Sequence, residues 1–457
     1  LLLSACGAPQ TLDFSYAPEG EELSSLMVET SQTHRAELEH VPSAADFADA
    51  ISDDPASAGL LSESEVESLL RGHAAMETVS KEQAQSDVSL LFRTLQSAYG
   101  AYEYFGQEKF DAAEDAVTQW LSSQDDGIKV SALGEKLQES LAFMLAHDAH
   151  AVIYEPAAEE IEAQVRYEYF FADGFYFSKD VNGSYYMVND GERWTLSSFS
   201  DEHVSVQPTL LQDGRIVYQP TLFALRKDAV QSSVTLKNSS GKAKIYRLDW
   251  TESQPLDVDL GTLDYRLVQE DGLTYVSLRS FVSGTYDNML ARYAREGAKA
   301  RGSKAVIYDL RGNVGGSDSW PRKWIQSFLG TQNSIETSML YAQKNSALFA
   351  AENSESLLPE DEGTCFAREV HGTWYENDIP IIVLVDDHCG SSGEGAVQLL
   401  KTLDNVLIVG SNTAGYQLCG NISTFTLPYT GIGVRFGSTL FLYGDGENVD
   451  HRGYATD

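Results

Sequence analysis

The sequence predicts an α/β protein in three parts: a helical N-terminal region, a β-rich middle section and a C-terminal α/β core. Three observations lead there. Between residues 81 and 160 the apolar residues recur largely at three- and four-residue steps. Between 161 and 258 Tyr, Phe, Val and Thr dominate in short alternating runs. From 259 to 457 apolar, β-branched runs alternate with helical patterns, as in strand–helix–strand units.

Residues 7–80 are rich in Ser, Ala, Glu and Asp with weak periodicity, and read as an acidic linker or short exposed helices. The first clear helix starts at Lys81 and carries Val88, Leu90, Leu91, Leu95 and Tyr99. A second covers about Phe110 to Leu121. A third runs from Val130 to about Ala146, with Leu133, Leu137, Leu141, Met144 and Leu145 on one face. The middle section is punctuated by turn pairs such as Asp173-Gly174, Asn182-Gly183 and Asp213-Gly214. In the last part, strands are predicted at Leu273–Leu278, Ala305–Leu310, Ile381–Val385 and Val406–Gly410. Helices are predicted at Tyr286–Ala298, Trp320–Leu329 and Gly395–Lys401.

Composition narrows the function. The 457 residues are 42% apolar, enough for a sizeable core, and carry a net charge of −36. That charge argues against nucleic-acid binding and against electrostatic attachment to anionic lipid. Cysteine spacing gives no zinc pattern, and neither a metal nor a cofactor is expected. No segment approaches 18 consecutive apolar residues, so no transmembrane helix is expected. The stretch Leu1-Leu2-Leu3-Ser4-Ala5-Cys6-Gly7 resembles a bacterial lipobox, against the plainer reading of an apolar N-terminus with a free cysteine. The lipobox reading makes residues 1–6 a signal remnant and Cys6 the site of a lipid. The chain is then expected outside the cytoplasm as a bacterial membrane lipoprotein. Such a location permits one disulfide among Cys365, Cys389 and Cys419, with Cys389–Cys419 one option among the pairs.

The chemistry concentrates at Asp386-Asp387-His388-Cys389-Gly390-Ser391-Ser392-Gly393-Glu394, directly after the 381–385 strand. Ser391 falls at a strand-to-helix turn, where free backbone N–H groups stabilise an oxyanion. A nucleophile suits that place. Ser391-x-x-Glu394 is equally a capping box, which needs no chemistry. The Gly-Asn-Val-Gly-Gly run at 312–316 lacks the spacing and the lysine of a phosphate loop. Cys389 in place of glycine disfavours a Gly-x-Ser-x-Gly elbow.

Taken in order, four segments resemble the C-terminal processing (tail-specific) peptidases, a family that includes the tricorn core protease and the interphotoreceptor retinoid-binding protein repeats. They are Asp309-Leu310-Arg311-Gly312-Asn313-x-Gly315-Gly316, Ser391-x-x-Glu394, Gly410-x-x-Thr413-Ala414-Gly415, and the closing Asp445-Gly446 followed by Val449-Asp450. The resemblance spans about residue 85 to the end and implies a core of the ClpP/crotonase-like type. It implies a serine endopeptidase acting on peptides or unfolded proteins. The processing branch has a lysine where this chain has Tyr416, and Lys401 lies about 15 Å along the helix from Ser391. A Ser–Lys dyad is therefore not expected. The tricorn-like branch takes a histidine from an Asp-x-His element, which Asp148-Ala149-His150 fits, with Ala149 where tricorn has serine.

The roles implied are Ser391 as nucleophile, His150 as base, and Asp450 as the group that orients it. The oxyanion donors would be Ser392 N–H and one from Gly315 or Gly316, with Glu394, Asp309 and Arg311 in support. His150 is otherwise a helix-end histidine. His147, His388 and His451 are secondary candidates for the base. The alternative function is an inactive binding protein for an apolar ligand or peptide on the same fold, with a structural adhesin behind it. Relatives usually continue past the position of Asp457, so a further C-terminal piece is expected.

Overall fold

The computed structural model describes residues 20–44, 61–154, 167–252, 265–352 and 365–457, apart from 21, 173, 190, 212, 226–231, 285 and 445. Cys6 and its lipobox lie outside the described residues.

The α/β core is a five-stranded sheet in the order Tyr265–Glu270, Leu273–Leu278, Ala305–Asp309, Ile381–Val385, Val406–Gly410. The first pair is antiparallel and the rest are parallel. Side chains alternate across a strand, and here the two faces meet different partners. Val306, Tyr308, Ile381, Val383, Val385, Val406 and Ile408 share a core with the helices Asp287–Ala300, Ser319–Leu329 and Ser392–Leu400. Ile382 and Leu407, on the opposite face, receive Leu26 and Met27.

Those two residues belong to the helix Leu23–Leu38, inside the stretch read from sequence as linker. The helix is strapped across the core. Ser31 Oγ accepts the Asn405 N–H at 3.0 Å, His34 Nε2 pairs with Asp457 at 2.9 Å, and Leu38 O accepts the Ser338 hydroxyl at 2.5 Å. A second helix, Glu63–Leu70, starts at a Ser62/Glu65 capping box.

A second sheet runs Cys365–Val370, Met339–Lys344, Gly433–Tyr443, Cys419–Thr426, all antiparallel. The helices Lys81–Ala98, Gln107–Ser123 and Val130–Ser140 do not keep a core to themselves. Leu91, Leu95, Tyr99, Leu133 and Leu137 pack in one cluster with Phe425, Val434, Phe436 and Leu440 of this sheet. The third predicted helix is interrupted at Leu141 and resumes as Ala142–Leu145. After it, Val152–Tyr154 adds to the sheet, pairing Tyr154, Ile153 and Val152 with Gly433, Val434 and Arg435.

The described residues of the middle section form nine strands in two antiparallel sheets. One runs Ala243–Leu248, Ser232–Asn238, Glu192–Phe199, Tyr185–Asn189, Ser178–Lys179; the other runs Trp250–Glu252, Tyr167–Ala172, Ile216–Leu225, Val204–Leu210. Phe177, Trp194, Tyr218 and Tyr246 fill its core. No helix occurs among its described residues.

The sequence left a disulfide open among Cys365, Cys389 and Cys419; no disulfide joins these three, and all are buried. Cys389 lies in the turn before Ser391, and Cys419 is paired across the second sheet with Leu440. Among the described residues, no helix is long and apolar enough to cross a membrane.

Candidate active site

The strand Ile381–Val385 ends against the loop that follows Ala305–Asp309, because the two strands are parallel neighbours. Their C-terminal ends therefore open on one side of the sheet, where ligands of open α/β sheets bind. Two hydrogen bonds join the loops: Gly312 N–H to Asp386 Oδ1 at 2.8 Å and Gly390 N–H to Asn313 O at 2.9 Å.

Ser391 is the N-cap of Ser392–Leu400 and forms the capping box with Glu394. Its backbone is not that of an ordinary cap. N-cap residues adopt extended φ/ψ, as Ser62 (φ −75, ψ 156) and Ser80 (φ −68, ψ 158) do in their own capping boxes. Ser391 has φ 54 and ψ −122. Such strain costs about 1–3 kcal/mol and clusters at functional sites. Capping alone does not require it; a sharp turn that projects a nucleophile does.

Close packing enforces the turn. A Cβ on Gly393 would stand 2.7 Å from Asn313 O, and one on Gly315 would stand 2.8 Å from Ser391 Cβ and 3.0 Å from Ser392 N. The glycine loop thus lies directly against Ser391. The Gly315 N–H, however, is bound to Asn313 Oδ1 at 3.0 Å. Among the described residues, the N–H groups of Ser392 and Gly316 have no acceptor. Of the two glycines, Gly316 retains a donor for an oxyanion.

Glu394 is fully buried and holds the site together. Its Oε1 accepts from Thr413 Oγ1 (2.6 Å) and Gly415 N–H (2.8 Å), and its Oε2 from Tyr416 N–H (2.8 Å) and Ser391 N–H (3.0 Å). Burial pushes its carboxyl up, and these four donors oppose the shift. Asp309 and Arg311 are a structural pair. Burial raises the Asp309 carboxyl, but Arg311, Arg279 and Tyr275 outweigh that and hold it well below the usual range.

His150 is brought in by the Val152–Tyr154 pairing, and its carbonyl accepts from Arg435 Nε at 3.0 Å. Its ring meets Tyr416 edge to face at 5.2 Å. Tyr416 in turn flanks Gly390, its Cδ2 lying 3.4 Å from where a Cβ would be. The ring of Tyr416 therefore stands beside both the base candidate and the nucleophile turn. Burial pulls the imidazole down to about 4, against the opposing charge of Asp148. At neutral pH it is an uncharged acceptor.

Asp450 does not hold the imidazole as the sequence suggested. Its Oδ2 accepts the Ala149 N–H at 2.9 Å, and its Oδ1 accepts Gln417 and Leu418 N–H at 2.7 and 2.8 Å. His150 Nδ1 is buried with no hydrogen-bond partner. Asp450 brackets the backbone on either side of the site, while burial and the nearby Asp148 push its carboxyl well up. Two residues without a role in the sequence reading complete the support. Asp148 accepts the His150 N–H at 2.9 Å through Oδ1 and the Tyr99 hydroxyl at 2.8 Å through Oδ2. Asp148 was visible only as part of Asp-x-His, and Tyr99 only as a core position.

The other candidates fall elsewhere. His147 is exposed, and His388 pairs with Asp387 at 3.0 Å. His451 stands on the closing loop against Gly415, its N–H donating to Gly415 O at 2.9 Å. Burial raises the Cys389 thiol well above its ordinary value, which suits an inert core cysteine. Asp386, Asp387 and His388 place one ligand atom each within 4.8 Å of one another. Asp386 Oδ1 already serves the Gly312 and His388 N–H groups.

The family model of peptidase family S41 matches residues 272–457, which takes in both loops and the closing element. Over these residues the chain is similar to peptidase family S41. That similarity supports a serine-type peptidase, with peptide or protein as the substrate class. A search of curated proteins gives no match. Among solved structures, mature CPAF is 13% identical with a TM-score of 0.41, covering 82% of this chain and 92% of that one. The photosystem II D1 C-terminal processing protease is 14% identical, with a TM-score of 0.39 and the same two coverages. The tricorn protease is 13% identical with a TM-score of 0.37, covering 82% of this chain and 34% of that one.

Proposed function

We propose that this chain is an exported, lipid-anchored serine endopeptidase whose base is a histidine. The observation that carries the reading is the backbone of Ser391, strained as neither ordinary capping serine of the chain is. In the proposed reaction Ser391 Oγ bonds to the peptide carbonyl carbon while His150 accepts the hydroxyl proton. The oxyanion is held by the N–H groups of Ser392 and Gly316. Collapse breaks the C–N bond, and His150 returns the proton to the leaving amine. Water, deprotonated by His150, then releases the acyl group and restores Ser391. Asp148 and Asp450 hold the His150 segment through its backbone. Loss of one oxyanion donor lowers the rate by about 100- to 1000-fold. The lipobox around Cys6 supports the anchor.

The test is labelling of the wild type, Ser391→Ala and His150→Ala by a fluorophosphonate probe. Labelling is expected to require both residues. A folded wild type that takes no label removes the peptidase reading and favours a binding protein on this fold. Label that persists in His150→Ala removes the histidine base.

A further inference from the structure

Basic residues are not spread evenly over this acidic chain. Residues 287–332 hold eight of the 32 Lys and Arg but only four of the 68 Asp and Glu. The helices Asp287–Ala300 and Ser319–Leu329 in this stretch flank an open cleft of about 690 Å³. Ala291, Ala294 and Ala298 line one wall, spaced on one helix face so that a ligand can approach closely. Trp320 forms a ledge on the other, with Lys323 Nζ 4.5 Å from its ring centroid.

The cations of the cleft differ in their engagement. Arg301 closes one end, its guanidinium bound to Ser327 O at 2.6 Å and Phe328 O at 2.9 Å. On the neighbouring face, Arg292 and Lys299 are paired with Glu296 at 3.1 and 2.7 Å. Arg295 and Lys323 are exposed and, among the described residues, have no carboxylate partner. Gln326, Thr331 and Gln332 add groups that both donate and accept.

We infer that this cleft docks a carboxylate-rich segment of a polypeptide, with Arg295 and Lys323 as its charge contacts. The position favours a peptide. Trp320 Nε1 donates to Ser283 Oγ at 3.0 Å, and Phe281, two residues earlier, donates its N–H to Gly315 O at 2.7 Å. A chain lying in the cleft therefore leaves it beside the loop that packs on Ser391. The net charge of −36 repels a long polyanion such as nucleic acid, while a short acidic run in an otherwise neutral chain meets the local positive field. As a substrate-docking site the cleft rests on the proposed peptidase function; as a binding site it does not.

The binding arm uses the full chain carrying Ser391→Ala. Fluorescence anisotropy compares a labelled peptide containing a run of glutamates with its glutamine counterpart. The glutamate peptide should bind about tenfold more tightly at low salt, and Arg295→Glu with Lys323→Glu should erase that preference. Equal binding of the two peptides, or a preference unchanged by the double reversal, overturns the inference. So does duplex DNA competing as well as the glutamate peptide. In the active chain, the double reversal should raise KM for a substrate with a glutamate run and leave cleavage of a neutral substrate unchanged. Cleavage without glutamate preference sinks the docking site and spares the peptidase. Glutamate-dependent binding by a chain that cleaves nothing sinks the peptidase and supports the docking site.

Discussion

Ser391 and Glu394 show how one tetrapeptide both caps a helix and braces a strained serine. The carboxylate takes donors on both oxygens, and one of them is the N–H of Ser391 itself. Replacing Glu394 by Gln would turn an NH₂ group toward two donor N–H groups. Glu394→Gln should therefore be nearly as damaging as Glu394→Ala, each lowering stability by about 2–5 kcal/mol, measured by urea unfolding. A Gln variant as stable as wild type would show that the four bonds are not needed. His150 gives a pH prediction. As the proposed base, an imidazole pulled down to about 4 stays unprotonated through mild acid, so kcat/KM should fall only near pH 4 rather than below about 6.5. The same burial has a stability cost with a definite sign. Between about 6.5 and 4 the unfolded chain binds a proton that the folded one does not, so stability falls with pH across that window, by about 3 kcal/mol in total. His150→Gln should flatten that part of the stability profile.

At the scale of elements, the core strands were legible because buried parallel strands are unbroken β-branched runs: Ile381–Val385 and Val406–Gly410 agree residue for residue. The strap helix was not, because it buries Thr30, Ser31 and His34 beside only Leu26 and Met27. Polar residues on the buried face leave no apolar stripe to read. The bracket made by Asp450 was also hidden, since an acid that accepts backbone N–H groups and one that faces an imidazole look alike in sequence. The two roles separate by experiment. Asp450→Ala should lower both melting temperature and fluorophosphonate labelling, because three N–H groups lose their acceptor. Lost labelling with an unchanged melting temperature would return Asp450 to an orienting role. For the strap, Leu26→Ala with Met27→Ala should cost about 2–5 kcal/mol per site if the helix unfolds with the core.

Over the whole molecule, a net charge of −36 on 457 residues opposes compactness. Screening should relieve it, so the melting temperature should rise between low salt and about 0.5 M NaCl. A fall would mean that ion pairs such as Lys401–Glu37 outweigh the repulsion. The strand Gly433–Tyr443 anchors the His150 side of the candidate site, pairing with Val152–Tyr154 directly after that residue. The base precedes the nucleophile by some 240 residues, and its anchor comes later still. A growing chain thus exposes a histidine without a serine, then a serine without a seated histidine. Order of synthesis acts as a safety catch: the candidate site can assemble only after the strand Gly433–Tyr443 has emerged.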